Sequence, residues 1–277
     1  ATGDPGVAFG LDLDRKLTRK YMEGALLYPM AFLIDRKGTI LWCGEAMDLA
    51  EKIEPALAGR IDPADEGKIL ALVTDGEVCS ALHEGNSGVV VLDQTPFYAE
   101  MGGQVADHGV IRTETGLFRV TDVQKDKGGK FLHSGVLESG SMTVEQSAQA
   151  EVDEKRRKAI MRAHSATHLL HAALRRVLGD HVHQAGSLVE PDRLRFDFTH
   201  FSAVTPEELR EINELICDEI LDGLDVSVSE MSQDEAKAMG AQALFGEKYG
   251  DVVRVVKMED ASMELCGGTH LDNTAKI

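Results

Sequence analysis

Two histidines stand four residues apart in a stretch whose apolar spacing is typical of a helix. His164 and His168 belong to the run His-Ser-Ala-Thr-His. Four residues correspond to about 400° of helical rotation, so both imidazoles leave the same helix face, one above the other. This spacing suits two ligands of one metal ion. The metalloprotease pattern His-Glu-X-X-His shares the spacing, but its general-base glutamate would stand at position 165, which is serine here, so proteolysis is not expected.

A second pair of potential ligands lies near the end of the chain. Cys266 and His270 are also four residues apart, and the two glycines between them permit a tight turn that aims both side chains inward. Three imidazoles and a thiolate form a donor set suited to tetrahedral zinc. Either pair alone is more often structural than metal-binding. Because both pairs fall within residues 151–277, we predict one metal site that uses all four residues.

The periodicity of apolar residues predicts the elements that position these ligands. From about 145 to 178 apolar residues recur at intervals of three and four, which indicates a long helix that carries both histidines and ends at Gly179. Further elements are predicted after it: a strand pair over 183–189 and 194–200, a helix opened by Thr205 and running to about 221, and strands over 226–231 and 252–258.

Residues 68–142 contain short β-prone runs separated by Gly, Asp and Asn turns. The runs cover 69–73, 88–93, 109–113, 117–123 and 130–137. Many short strands without a long helical pattern favour a small antiparallel barrel.

The first sixty residues have a different pattern. The apolar runs 29–34 and 39–44 flank a turn over 35–38 and predict a β-hairpin. Asp48 can then cap a helix whose apolar positions recur every four residues. The polar stretch 61–67, which contains a proline and a glycine, is predicted to be a linker.

Composition excludes several classes of protein. The net charge of −18 argues against broad, nonspecific coating of nucleic acid as the function. The longest apolar run is too short to cross a bilayer, and residues 1–10 lack the regions of a signal peptide. The four cysteines form no Cys-X-X-Cys pair, which argues against a disulfide scaffold. We therefore expect a soluble protein of the cytoplasm that does not bind membranes.

One segment runs against the overall charge. Residues 151–176 hold seven basic and three acidic side chains, a local net charge of +4. Such a stripe beside a metal site suits a phosphodiester backbone. A solvated helix face with i, i+4 pairs such as Glu154 with Lys158 explains the same pattern equally well.

Three segments carry a resemblance to a known family. They are RAHSATHLLHAALRRVLGDHVHQAGSLVEPDRLRFDFTHF at 162–201, MELCGGTH at 263–270 and TPFYAEMGGQVADHGVI at 95–111. Over 66–277 the chain resembles the editing domain of alanyl-tRNA synthetase and the free-standing AlaX trans-editing proteins. The resemblance implies an α+β fold with a β-barrel over 66–144 and a zinc-dependent editing domain over 145–277. Residues 1–60 resemble the C-terminal half of a thioredoxin-like fold, with Pro29 at the position of its cis-proline.

By this resemblance the function is hydrolysis of Ser or Gly wrongly esterified to the alanine tRNA, with the tRNA acceptor end as partner and no nucleotide cofactor. Thr167 matches the residue expected to bond the serine hydroxyl, although a helical carbonyl would satisfy it equally well. Gln184 matches a glutamine of the editing pocket. The remaining implied roles are zinc ligation by His164, His168, Cys266 and His270, and substrate or tRNA binding by Gly102, Gly103, Lys155, Arg156 and Arg162.

Two departures from the family define the alternatives. The family's domain continues for further strands beyond the position of Ile277, so we expect a truncated sheet. No segment matches the ATP-binding core, so ligation is not expected. A non-catalytic, tRNA-binding or structural zinc-bearing fragment of an alanyl-tRNA synthetase is therefore the alternative to a deacylase. A redox function of residues 1–60 is disfavoured because Cys43 has no resolving partner. Whether zinc activates water or anchors the terminal ribose stays open.

Overall fold

The structure is a computed structural model that describes residues 7–11, 30–35, 40–45, 64–242 and 250–277, with side chains described from residue 66 onward. The chain divides into two compact units, 1–61 and 62–277, and each is described by itself.

The first unit contains a three-stranded antiparallel sheet. Its strands are β1 (Val7–Leu11), β2 (Met30–Asp35) and β3 (Ile40–Glu45), and β2 lies in the middle. The pairing of β2 with β3 confirms the predicted hairpin, whereas β1 was not predicted. Pro29 and the helix expected after Asp48 lie outside the described residues. The thioredoxin-like resemblance of residues 1–60 therefore stays a prediction.

A closed barrel opens the second unit. Its strands are β4 (Ala64–Thr74), β5 (Glu77–Cys79), β6 (Ala81–His83), β7 (Ser87–Leu92), β8 (Gly109–Arg112), β9 (Gly116–Lys125), β10 (Phe131–Thr143) and β11 (Ser147–Val152). Six of them close a ring in the order β11-β8-β9-β10-β7-β4, because β4 pairs with β11. Strand β5 adds to β4 and β6 adds to β10. All pairs are antiparallel, which confirms the predicted barrel.

The barrel core follows the alternation of side chains along each strand. On β9, Phe118 and Val120 are buried while Arg119 between them is exposed. A bulge at Thr121 then inserts one residue opposite β10, and this keeps Val123 on the inner face. The bulge therefore shifts the alternation of inward and outward positions by one residue in the second half of the strand.

Two predicted boundaries are wrong. Residues 64–67 belong to β4 rather than to a linker, and they pair with residues 148–151 of β11. Residues 147–152 form β11 rather than the first turns of the long helix. In both places the ladder hydrogen bonds that close the barrel outweigh local composition, and β11 shows the strand period by burying Ala148, Ala150 and Val152.

Helices and a second set of strands follow the barrel. They are α1 (Glu154–Leu178), β12 (Gln184–Val189), β13 (Leu194–Phe198), α2 (Pro206–Asp222), β14 (Val226–Ser232), α3 (Gln233–Ala238), β15 (Val252–Met258), β16 (Ser262–Leu265) and a 3-10 turn (Thr274–Lys276). The predicted hairpin, both long helices and strands β14 and β15 are confirmed, whereas α3 and β16 were not predicted. The whole unit is an α+β structure.

Helix α1 packs on α2, β12, β13 and β16. Asp153 caps its first turn by accepting a hydrogen bond from the Arg156 N–H at 3.0 Å. One side packs on α2 through Leu174 and Ile212, and Leu169 meets the buried side of β15. Among the described residues, no helix combines the length and the apolar character needed to cross a membrane.

Candidate metal centre

The middle of α1 turns a polar stripe toward the interior. His164 and His168 are only 6% and 3% exposed, and Ser165 and Thr167 beside them are also buried. A buried histidine pair on one face is the arrangement that the four-residue spacing predicted.

The second ligand pair reaches this face on the loop that follows β16. Arg254 on β15 holds the loop, because its guanidinium donates to the carbonyl oxygens of Cys266 at 2.7 Å and Gly268 at 2.8 Å. The Cys266 Sγ atom then lies 3.4 Å from His164 Nε2 and 3.3 Å from His270 Nε2. The loop thus places a sulfur atom beside two ring nitrogens.

The four predicted ligands come together in one cluster. One potential ligand atom from each of them lies within 4.8 Å of all the others. The ring centroid of His270 is 4.3 Å from that of His164 and 4.5 Å from that of His168. Three imidazoles and one thiol at these distances could hold a metal ion.

The opposite ring nitrogen of each histidine faces a polar group. His164 Nδ1 donates to Gln104 Oε1 at 2.7 Å, and His270 Nδ1 lies 3.3 Å from Ser165 Oγ. His168 Nδ1 lies 3.9 Å from the carboxylate of Glu264. Hydrogen bonds at Nδ1 leave Nε2 as the available ligand atom of His164 and His270, as in metal sites whose ligands are oriented by hydrogen bonds. His168 Nδ1 is buried without a hydrogen-bond partner among the described residues.

Burial keeps these imidazoles neutral. Desolvation, with a smaller contribution from His168, lowers the pKa of His164 to about 3. Desolvation also lowers the pKa of His168, and it lowers the pKa of His270 well below the ordinary value. Since a ring nitrogen must be unprotonated to bind a metal, the cluster is ready for ligation at neutral pH.

The buried Glu264 carboxylate stays ionised beside these rings. Burial, the largest effect, raises its pKa, but the charge that His168 carries when protonated, together with hydrogen bonds from His171 and Ser262, lowers the pKa below the ordinary value. Its Oε1 atom accepts from His171 Nδ1 at 2.9 Å and from Ser262 Oγ at 3.2 Å. The carboxylate therefore adds negative charge next to a place suited to a cation.

A cleft opens above the cluster. Counting its open mouth, it holds about 530 Å³ and is lined by Tyr98, Met101, Gly102, Thr167, Gln184, Ser187, Glu264 and the loop 265–268 as well as by His164 and His168. Gln184 is half-buried at the start of β12. The Thr167 hydroxyl donates to the Ala163 carbonyl at 2.8 Å, so the helical carbonyl does take its hydrogen. The structure thus brings Thr167, Gln184 and Gly102 to the predicted metal ligands.

Two family models match this chain. The model for tRNA synthetases class II (A) matches residues 50–156, and the model for the threonyl and alanyl tRNA synthetase second additional domain matches residues 253–277. The first match begins inside residues 1–60, the range predicted to be thioredoxin-like, and covers the barrel. The second contains the loop with Cys266 and His270.

Alanine–tRNA ligases are close relatives of this chain. The enzyme of Acetivibrio thermocellus is 51% identical over 228 residues, which are 82% of this chain and 26% of the relative. Those of Bacillus cytotoxicus and Bacillus subtilis are 50% and 48% identical over 226 and 225 residues, again 26% of each relative. The chain belongs to the alanyl-tRNA synthetase family. It spans about a quarter of the length of the curated relatives it matches.

The basic residues on α1 of this alanyl-tRNA synthetase segment that were predicted to bind tRNA differ in their exposure to solvent. Lys155 and Arg162 are exposed. Arg156 is half-buried and donates to the Ala106 carbonyl at 2.6 Å, and burial lowers its pKa. None of these three lines the cleft. Lys158 pairs with Glu154 at 3.1 Å, as the solvated-face interpretation predicted.

Several site residues of this family member were not found from the sequence. Gln104, Ser165, Arg254 and Glu264 hold the ligands or their loop, yet none stands in a pattern that marks this role. Gln104 lies 60 residues from its partner His164, and Ser165 lies 105 residues from His270. Of these four residues, only Gln104 could have been suspected from the sequence, because it lies within the glycine-rich segment 95–111.

Proposed function

We propose that this chain carries an aminoacyl-tRNA editing site that hydrolyses the ester of serine, and also of glycine, on the alanine tRNA. The observation that carries the proposal is the juxtaposition of a four-ligand cluster with Thr167 and Gln184 in one cleft. The family supplies the context, since its members charge tRNA with alanine. We expect this activity in the cytoplasm, where charged tRNA is used.

Zinc is the metal we propose for the cluster. Its ligands would be His164, His168, Cys266 and His270, because zinc favours tetrahedral sites built from imidazole and thiolate. When bound, zinc would supply a positive charge able to polarise an ester or a water, or to orient the terminal ribose. The neutral rings and the ionised Glu264 suit that charge.

Thr167 is the residue proposed to recognise serine. Its hydrogen is committed to the Ala163 carbonyl, so toward the cleft the hydroxyl oxygen offers lone pairs. A seryl side chain can donate its hydroxyl hydrogen to that oxygen, whereas an alanyl side chain leaves a buried acceptor without a partner. Because such a loss costs about 1–3 kcal/mol, the site favours the serine ester over the alanine ester.

Gln184 is proposed to orient the ester at the other wall of the cleft. Its amide offers two donors and one acceptor, so it can bind the ester carbonyl or the terminal ribose. The exposed Lys155 and Arg162 are proposed to meet tRNA phosphates, with the barrel over 64–152 and the domain over 153–277 acting together. Arg156 serves the same surface less directly, since its guanidinium is bonded to the barrel backbone.

The alternative is a structural zinc site in a tRNA-binding segment without turnover. It is favoured by the presence of four protein ligands, since catalytic zinc usually has three and leaves one position open. In that case the metal would fasten the loop after β16 to α1 without taking part in chemistry.

Deacylation separates the two functions. The zinc-loaded chain is incubated with Ser-tRNA(Ala), and with Ala-tRNA(Ala) as control, and the remaining ester is counted over time. An editing site predicts faster loss of serine than of alanine, both compared with buffer alone. Rates equal to buffer with both substrates, together with retained tRNA binding, would establish the structural alternative.

A further inference from the structure

Gly102 and Gly103, in the glycine-rich segment 95–111, form a two-residue turn that is linked to the metal cluster through Gln104. Met101 and Gln104 exchange backbone hydrogen bonds of 3.2 and 3.0 Å across Gly102 and Gly103. Both glycines have positive φ, +59° and +83°, as the tightest hairpin turns require. We propose that this turn is the outer support of the metal centre and that Gln104 is a positioning residue that fixes the metal-binding nitrogen of His164. The proposal rests on the proposed zinc site.

The turn is fastened to β12. The Val189 N–H donates to the Gly103 carbonyl at 2.8 Å, and the Val105 N–H donates to the Val189 carbonyl at 3.2 Å. The approach is so close that a Cβ atom at Gly103 would lie 2.5 Å from the Ser187 carbonyl oxygen. A glycine at 103 is therefore needed for the backbone to reach this position.

With the turn in this position, the buried side-chain amide of Gln104 contacts two parts of the metal site. Gln104 is fully buried. Its Oε1 atom accepts from His164 Nδ1 at 2.7 Å and from the Thr269 N–H at 2.9 Å, and its Nε2 atom donates to Thr269 Oγ1 at 2.9 Å. Thus a barrel residue joins a ligand on α1 to the loop that carries the other ligand pair.

These contacts determine which nitrogen of His164 binds metal. The Thr269 N–H requires an acceptor, which assigns the oxygen of the amide to the Oε1 position. An amide oxygen accepts but does not donate, so the hydrogen of the neutral ring must be on Nδ1. The lone pair is then on Nε2, the atom 3.4 Å from Cys266 Sγ.

The backbone at Gly268 packs tightly against His164 and Gln104. A Cβ atom at that position would overlap the His164 ring and come within 2.8 Å of Gln104 Oε1. The loop after β16 therefore packs directly against the hydrogen bond between Gln104 and His164. Metal affinity should depend on Gln104 although its side chain is not a ligand.

Zinc affinity tests the proposal. Gln104→Met keeps the length of the side chain but removes the acceptor, and Gln104→Glu keeps an oxygen at Oε1. The control is Gln124→Met, a glutamine on the exposed side of β9. For each full-length chain, zinc is titrated against a chelator of known affinity, and the visible spectrum of the cobalt-loaded protein reports the ligand geometry. Thermal unfolding of the metal-free proteins shows whether each variant folds.

We expect Gln104→Met to weaken zinc binding by about 10–100-fold and to alter the cobalt spectrum, as loss of a ligand-orienting partner usually does. Gln104→Glu and Gln124→Met should stay near the wild-type affinity. Wild-type affinity in Gln104→Met, or equal losses in Gln104→Met and Gln104→Glu, would overturn the proposal. If Gln104→Met does not fold, Gln104→Asn, which retains the amide on a shorter stem, must show the loss. Because the readout is metal binding, it stands apart from whether the chain deacylates tRNA.

Discussion

Replacing each glycine of the turn by alanine, one at a time, separates the energetic cost of a positive φ from the cost of a steric clash with β12. Gly102 and Gly103 both have positive φ, but a Cβ at Gly102 would meet nothing within 4 Å, whereas one at Gly103 would meet the Ser187 backbone. An alanine at positive φ costs about 1–2 kcal/mol at either position. Gly103→Ala must also push the turn away from β12 and weaken its two hydrogen bonds to Val189, worth about 1 kcal/mol each. We therefore expect a loss of about 1–2 kcal/mol for Gly102→Ala and about 2–4 kcal/mol for Gly103→Ala.

Urea unfolding of the metal-free proteins measures this difference. The free energy of unfolding is extrapolated for the wild type and both variants, with the dependence on urea checked to be the same. Because Gly102→Ala carries the conformational cost alone, the difference between the variants reports the close approach to Ser187. Equal losses for the two variants, or a Gly103→Ala protein as stable as the wild type, would refute the docking of the turn on β12.

Three further predictions concern the ligand, the substrate and the barrel. Cys266→Ala should lower bound zinc below one per chain after dialysis, measured by metal analysis; equal zinc in variant and wild type would exclude the thiol as a ligand. Thr167→Val keeps the shape but removes the acceptor, so the preference for the serine over the alanine ester should fall by about 1–3 kcal/mol in relative rates, and an unchanged preference would place selectivity elsewhere. Buried His133 has a pKa lowered by desolvation, so its unfolded form binds a proton more readily and stability should fall as pH drops below about 6.5. Unfolding free energies between pH 7.5 and 5 should change less in His133→Gln than in His83→Gln, an exposed control.

The ligand set could be predicted because its signals are local. Four-residue spacing determines the direction of the side chains from neighbouring residues alone. This holds for His164 and His168 on a helix and for Cys266 and His270 around two glycines. The same holds for the cap of α2, where Thr205 and Glu208 form reciprocal hydrogen bonds within one turn. Elements fixed by such short-range interactions were found correctly.

Other features depend on partners distant in the sequence. Gln104 and Glu264 meet their histidines only after the barrel, α1 and β16 have packed, so no spacing marks them. The segments 64–67 and 147–152 appear as linker and helix until they pair with each other and close the barrel. Arg156 likewise counts as part of a basic stripe in the sequence, but its guanidinium bonds the barrel backbone.

Release of serine from Ser-tRNA(Ala) at increasing zinc is the most direct measurement of the proposed zinc-dependent editing site. The metal-free chain is titrated with zinc, and the deacylation rate is followed with Ala-tRNA(Ala) in parallel. We expect the rate with the serine ester to rise in proportion to zinc, to reach a plateau at one equivalent per chain, and to exceed the rate with the alanine ester throughout. A rate that never exceeds that of buffer, or one that does not depend on zinc, would contradict the proposed zinc-dependent hydrolysis.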